Sequence, residues 1–198
     1  MHATERDTDR VRARRAAFLE SLSDYDVTRF KFVDETSVNL TYTRRYGQAV
    51  GGARLRQGAA KHTGPNVTVV GALTVRGLEA VTELDGALDA ASFTLYIGQV
   101  PGPSLQVGDV VGLDNLPVHQ VAGMRERLES WGVQVLYLPP YSPDFAPIER
   151  GWSKPKTWLR TAQARTRALL TPALVTAADW ITAQDAQNWF AGCGYHVH

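Results

Sequence analysis

Three acidic residues stand at points where an α/β fold brings the ends of its elements together. Asp34 follows the apolar run FKFV and Asp114 follows VVGL, so each carboxylate is predicted at the carboxyl end of a buried strand. Glu149 comes two residues after Pro147, and because proline favours the first position of a helix, Glu149 is predicted in a first helical turn. Taken singly, an acid at a strand end is more often a turn former or a helix cap.

Convergence of the three carboxylates would require a counter-charge, because like charges raise one another's pKa. Oxygen ligands with open positions suit Mg²⁺ or Mn²⁺. Two such ions, about 3.5–4 Å apart, activate a water and stabilise a leaving oxygen in phosphodiester chemistry. If they converge, Asp34, Asp114 and Glu149 are therefore candidate ligands of Mg²⁺ or Mn²⁺ in phosphodiester chemistry, although each acid alone is weak evidence for it.

The elements that must position these acids alternate in the manner of a mixed α/β sheet covered by helices on both faces. Strands are predicted over residues 29–33, 66–75, 78–84, 109–114 and 133–138, with a hairpin or extended segment over 41–50. Helices are predicted over 87–100 and 118–131, after Pro147, and once or twice within 169–189. The first strand is expected to end at Asp34.

Composition excludes several classes of protein. The chain has 198 residues, of which 44% are hydrophobic and 21% charged, which fits one globular domain and not a disordered chain. The 21 Lys and Arg balance 20 Asp and Glu, which argues against coating nucleic acid by bulk charge. A single cysteine excludes a disulfide framework and a cysteine-based zinc site. Without a bilayer-spanning run or a signal peptide, the chain is predicted to be cytoplasmic and not bound to a membrane.

The stretches FVDETSVNL, LDNLPVH and LYLPPYSPDFAPIERGWSKPK resemble the three signature blocks of DDE transposases. The resemblance is closest to bacterial insertion-sequence transposases of the mariner-like superfamily, also called DDE superfamily endonucleases. It runs from about Arg29 to about Tyr195, and the 34 residues between Asp114 and Glu149 are typical of that group. The prolines around Tyr141 make the third block the most specific.

The resemblance implies an RNase H-like, retroviral-integrase-like fold: a mixed five-stranded sheet whose first three strands are antiparallel, with flanking helices. It also implies metal-dependent DNA cleavage at element ends, followed by strand transfer to target DNA. The resemblance further implies that Asp34, Asp114 and Glu149 are the catalytic residues. Asp34 and Asp114 would be the strand-borne ligands, and Glu149 the helix-borne ligand, of two Mg²⁺ (or Mn²⁺) ions. A general RNase H-like nuclease and a catalytically silent remnant that binds DNA, or dimerises with a full-length transposase, remain the alternatives.

Residues beside the acids are expected to complete the site or to lie outside it. Asn115 is predicted to orient a ligand and His119 to touch a phosphate or a water, the alternative being a turn and a helix start with an exposed histidine. Glu35 directly follows Asp34, so strand alternation is expected to send it to the opposite face of the sheet.

Two positions depart from the family's usual pattern. Ala146 stands where asparagine is common, which forfeits a helix cap worth ~1 kcal/mol. Pro155 is expected to kink or break the helix that carries Glu149 and to displace Trp152, which weakens the case for full activity. Trp152 and Trp158 are otherwise expected to pack in the core.

Basic residues flank the signature blocks and are predicted to contact the DNA backbone, with ordinary solvated surface as the alternative for each. The predicted set is Arg44, Arg45, Lys154, Lys156 and Arg160. The DNA partners implied are transposon ends and target DNA.

Residues 1–28 are expected to form a charged helix that docks one edge on the core, or a linker remnant whose arginines touch phosphate, ahead of a catalytic domain over 29–198. This first segment is too short for a helix-turn-helix module, so the chain is expected to be the catalytic half of a longer transposase. It would act as a homodimer or with a separately encoded DNA-binding part, associated with the bacterial nucleoid.

Overall fold

The computed structural model describes residues 4–44, 46–47, 50–52, 54, 56, 58 and 66–196. Its strands are β1 (Phe30–Asn39), β2 (Asn66–Thr74), β3 (Gly77–Leu84), β4 (Val110–Leu113) and β5 (Gln134–Tyr137). Its α-helices are α1 (Asp9–Ser21), α2 (Ala90–Gln99), α3 (Met124–Ser130), α4 (Pro147–Gly151), α5 (Ser153–Ala162), α6 (Arg167–Asp179) and α7 (Ala183–Gly192). None of the helices in this described part has the length and apolar character needed to cross a bilayer.

The five strands form one mixed sheet in the order β3-β2-β1-β4-β5. β1, β2 and β3 pair antiparallel, whereas β4 pairs parallel with both β1 and β5. A tight connection suffices between the antiparallel strands β2 and β3, while the parallel strands β4 and β5 need a crossover, which α3 supplies. The predicted mixed sheet, with its three antiparallel strands first, is therefore confirmed.

The prediction that the first strand ends at Asp34 is wrong. β1 continues to Asn39 because β2 pairs with it along the whole stretch from Phe32, opposite Leu73, to Asn39, opposite Asn66. The parallel pairing with β4, in contrast, stops where Phe32 lies opposite Gly112. Asp34 therefore lies just beyond the residues of β1 that pair with β4, at a point where β1 is paired with β2 alone.

Two other predicted elements differ. In place of one helix over 118–131, Pro117–His119 forms a 3₁₀ turn and α3 begins only at Met124, because Gly123 adopts a left-handed φ of 78° that no α-helix accommodates. The described residues of the 41–50 segment form no strand, and residues 45, 48 and 49 lie outside the described residues.

The core has two layers, one on each face of the sheet. Phe30, Phe32 and Val38 of β1 pack on the face covered by α1 and α4 to α7, whereas Val33 packs on the face covered by α2 and α3. The first layer is tight around β4, since a Cβ added to Gly112 would lie 2.5 Å from Cε1 of Phe32. Glycine is therefore required here by close packing.

The segment predicted as a charged helix or linker remnant contains the helix α1, which packs on the core. Val11 and Phe18 are buried, and Phe18 stacks on Phe145 with ring centroids 5.4 Å apart. Arg15 of α1 lies over the Phe145 ring and donates hydrogen bonds to Asp144 in the proline-rich loop that precedes α4. α1 is thus part of the same packed body as the sheet.

Candidate active site

Asp34 and Asp114 reach the same edge of the sheet through the register of β1 and β4. Phe32 lies opposite Gly112 in that register, and two further residues along each chain lead to Asp34 and Asp114. Side chains two residues apart share a face, and neighbouring strands are about 4.8 Å apart. Asp114 directly follows β4, as predicted.

Glu149 lies in the first turn of α4, as predicted, and no side chain of Ala146 caps that helix. The helix is interrupted at Trp152, three residues before Pro155, so the predicted break is confirmed. Proline has no N–H to donate to the carbonyl one turn earlier, which weakens the ladder at this point.

The interruption does not displace Trp152, contrary to expectation. Its side chain is 4% exposed, and its indole N–H donates a hydrogen bond of 3.1 Å to Oδ2 of Asp34. Trp152 therefore packs in the core, as predicted, and also orients a carboxylate of the site, which was not. Trp158 also packs against this core layer, as predicted.

The three acids line one cavity of about 450 Å³. Asn115 lines it as well, as predicted, and so does Arg10 of α1, which sequence reasoning missed. The remaining wall is mostly apolar and comprises Phe32, Val33, Gly112, Leu116, Leu138, Pro139, Pro140, Tyr141, Ser142, Pro143, Ala146 and Ile148. The cavity thus joins an acidic side to an apolar side.

The acids of the cavity repel one another. Burial, followed by repulsion from Glu149 and Glu35, raises the pKa of Asp34 to about 7, against a smaller opposing effect of the Trp152 hydrogen bond. Partial burial of its carboxyl and repulsion from Asp114 raise the pKa of Glu149, although its side chain is exposed to the cavity. Within the described part of the chain, no salt bridge neutralises Asp34 or Glu149.

His119 lies behind Asp114 and is 1% exposed. Its Nδ1 is 2.5 Å from Oδ1 of Asp114, and its Nε2 approaches Oε2 of Glu35 at 3.2 Å without the alignment of a hydrogen bond. The ring also packs on Phe93, with centroids 4.7 Å apart. The predicted phosphate or water contact is therefore not supported, nor is the alternative of an exposed histidine.

Burial alone would lower the pKa of His119, but its contacts with Asp114 and Glu35 outweigh burial and raise that pKa to about 9. The ring is then an imidazolium at neutral pH, held between two carboxylates. Glu35 lies on the opposite face from Asp34, as predicted, yet it is connected to the site through His119.

The predicted DNA-contacting residues have different environments. Lys156 is close enough to Glu149 to lower the pKa of that carboxyl, while burial lowers the pKa of Lys156 itself. Lys154, in contrast, pairs with Asp185 at 2.5 Å. Of these two lysines, Lys156 therefore interacts electrostatically with an acid of the cavity, whereas Lys154 pairs with an acid outside it.

The other three basic residues lie further along the surface. The Arg160 guanidinium stacks 4.8 Å from the ring centroid of Tyr42. Arg44 is exposed, and Arg45 lies outside the described residues. DNA contact by this set stays a prediction.

The loop that leads into α4 is held from two sides. Asp144 accepts hydrogen bonds from Arg6, at 2.9 Å, and from Arg15, at 2.7 Å. The Arg15 guanidinium also lies 4.1 Å over the ring of Phe145, whose carbonyl accepts a 2.8 Å hydrogen bond from the Tyr195 hydroxyl. The sequence gives no sign of these pairings, since Arg15 and Asp144 are 129 residues apart.

The donors of the cavity fit a hydrated divalent ion better than a dedicated protein cage. No three His, Cys, Asp or Glu side chains of the described residues lie close enough together to hold one ion. Mg²⁺ usually keeps several waters and binds one or two carboxylates together with substrate phosphates. Asp34 and Glu149, which form no salt bridge within the described residues, have carboxylate oxygens that could bind such an ion.

Comparison with known proteins identifies the fold and the family. A family model described as DDE superfamily endonuclease matches residues 29–171. The catalytic domain of Mos1 mariner transposase superposes with a TM-score of 0.67 at 14% identity, over 98% of this chain and 91% of that one. The Mos1 Strand Transfer Complex gives a TM-score of 0.73 at 16% identity, over 98% of this chain and 60% of that one.

The mariner Mos1 paired end complex with Mg gives a TM-score of 0.67 at 17% identity, over 100% of this chain and 63% of that one. The chain thus spans about three fifths of the chains in the two complexes. No curated protein matches the sequence. The structural likeness confirms the predicted RNase H-like fold, and the match over 29–171 shows that the chain belongs to the DDE superfamily endonucleases.

Proposed function

We propose that this chain is the catalytic part of a transposase that cuts and joins DNA strands with Asp34, Asp114 and Glu149. The observation that carries the proposal is the convergence of three carboxylates on one cavity in a DDE superfamily endonuclease. A carboxyl group whose pKa is raised to about 7 by burial and like charges, as at Asp34, is typical of functional sites.

We assign the three carboxylates to the binding of Mg²⁺ or Mn²⁺, with two ions as the expected number. When bound, such ions polarise the scissile phosphate and activate the attacking oxygen. Asp34 is oriented for this by Trp152, and Asp114 by His119. Structures of Mos1 mariner paired end complexes with Mg and with Mn support this choice of ion.

The proposed substrates are the two DNA ends of a mobile element and a target duplex. A Mos1 strand transfer complex among the structural relatives supports joining as well as cutting. Arg10 at the cavity and Lys156 beside Glu149 are the cations placed to contact phosphates near the reacting bond. Pairing with a second copy of the chain, or with a separately encoded DNA-binding part, belongs to the same proposal, as does a location in the bacterial nucleoid.

The direct test is nicking of supercoiled plasmid DNA in Mg²⁺, in Mn²⁺ and in EDTA. Nicking is expected only with a metal ion. The rate should fall about a hundredfold or more in each of the variants Asp34→Asn, Asp114→Asn and Glu149→Gln. Loss of a residue that only supports a metal ligand already lowers activity about 10–100-fold. Asp179→Asn, an exposed acid of α6, is the matched control and should nick like the wild type. Nicking that survives all three site substitutions would contradict the proposal.

Two alternatives give different results in the same experiment. Faster cleavage of an RNA–DNA hybrid than of duplex DNA would indicate a general RNase H-like nuclease. Metal-bound protein that cuts neither substrate would indicate a silent remnant. Retention of Trp152 against Asp34 despite the helix break favours an active site over a distorted one.

A further inference from the structure

Tyr141 has a backbone conformation that its residue type disfavours. Its φ is 56°, in the left-handed region that bulky non-glycine residues rarely adopt. The loop is fixed on both sides of it, since Pro139, Pro140 and Pro143 restrict the chain. Ser142, 4% exposed, accepts a 2.6 Å hydrogen bond from Arg15 and donates one of 3.1 Å to the Pro140 carbonyl. Strain that a structure maintains in this way is typical of functional sites.

The side chain of Tyr141 has no structural partner to explain that strain. It is 47% exposed, although it lines the cavity. Within the described part of the chain, no hydrogen bond, ion pair or ring contact involves it. The aromatic face is therefore free to bind something that enters the cavity.

The composition of the cavity indicates what that is. Its acidic side would hold metal ions and a phosphate, while Leu116, which is 43% exposed, and Pro140 continue the apolar side beside Tyr141. A volume of about 450 Å³ exceeds what hydrated ions need and lies in the range of small-ligand sites. A nucleotide matches these two sides of the cavity, because it has a charged phosphate at one end and a base with an apolar π-face at the other.

The geometry points to Tyr141 as a stacking surface for an unpaired nucleobase next to the scissile phosphate. This inference deepens the proposed function and rests on it. A base held in a duplex is covered on both faces by its neighbours, so only an end base or an extruded base reaches the tyrosine. Stacking tolerates any base, because every base has a π-face. The role of Tyr141 is thus to bind substrate and to favour opened DNA ends over intact duplex.

The test is binding of a duplex with a single-stranded 3′ overhang that carries 2-aminopurine, measured by fluorescence in Ca²⁺ so that cutting is not required. The wild type and Tyr141→Phe should quench the probe, whereas Tyr141→Leu should leave it bright and bind it about 5- to 150-fold more weakly, the range of base–aromatic stacking. A blunt duplex of the same length should bind all three proteins equally.

Tyr141→Gly separates stacking from folding. Glycine relieves the positive φ, and this relief offsets the backbone entropy that glycine costs, so the variant should melt no lower than wild type and yet lose the quenching. Equal quenching by wild type and Tyr141→Leu would overturn the inference, as would a loss in Tyr141→Phe as large as that in Tyr141→Leu. Nicking is measured in a separate assay, so the two proposals can fail independently. Quenching without metal-dependent nicking would contradict only the proposed function. Metal-dependent nicking without quenching would contradict only the stacking role of Tyr141.

Discussion

Substitution of Asp34 by asparagine is predicted to stabilise the metal-free protein above neutral pH while it abolishes cleavage. The carboxyl group is buried and faces Glu149 and Glu35, and these effects raise its pKa from 3.8 to about 7. Asparagine has nearly the same shape and carries no charge. Its amide oxygen still accepts the hydrogen bond from Trp152, so the main change is the removal of a disfavoured charge.

The sign and size of the effect follow from proton linkage. Between about pH 4 and pH 7 the folded protein holds a proton on Asp34 that the unfolded chain has released, so the free energy of unfolding falls as the pH rises through this window. Each pH unit is worth about 1.4 kcal/mol, so the full penalty of ionised Asp34 above pH 7 is about 4 kcal/mol. The asparagine variant does not have this penalty.

The assay is urea denaturation in EDTA of wild type and Asp34→Asn. The stability advantage of the variant should grow by about 3 kcal/mol between pH 5 and pH 8. The exposed control Asp179→Asn should follow the wild type at both pH values. An advantage that does not change with pH, or a variant less stable than wild type at pH 8, would refute the reasoning.

Further variants test the parts that support the site. His119→Asn should lower the unfolding free energy near pH 6.5 by about 1–3 kcal/mol, because the half-exposed Asp114 and Glu35 lose their cationic partner. The loss should shrink as the pH rises through about 9, where wild-type His119 also loses its charge. Arg15→Ala should lower the unfolding free energy by about 1.5–3 kcal/mol, because the hydrogen bonds to Asp144 are lost. Arg15→Lys should not restore that stability, since lysine cannot form two parallel hydrogen bonds to a carboxylate. Equal stability of Arg15→Lys and wild type would exclude this role. Gly112→Ala should cost about 1–3 kcal/mol by overpacking and is checked by thermal melting.

Local patterns sufficed for much of the fold and for the acids. β2 and β4 are β-branched and apolar runs with clear ends, so both could be located from their own residues. Asp114 and Glu149 follow a strand and a helix-starting proline, which are signals within a few residues of each acid. These features need no knowledge of distant contacts.

The errors concern features that distant partners decide. The end of β1 depends on pairing with β2 up to Asn66, so the residues around Asp34 alone do not show that the strand continues. The burial of His119 depends on packing against Phe93 of α2, in another element. The link between Arg15 and Asp144 likewise joins the first helix to the loop before α4. Such contacts follow from packing and leave no periodic pattern in the sequence.

Crystals of this chain grown with Mn²⁺ would test the central claim most directly, by diffraction recorded at the manganese absorption edge. Anomalous peaks are predicted in the cavity, about 2.2 Å from carboxylate oxygens of Asp34, Asp114 or Glu149, and Asp114→Asn should weaken or remove them. A wild-type cavity without a peak at saturating Mn²⁺, or ions bound only elsewhere, would contradict the assignment of these three acids to the metal-dependent cleavage of DNA.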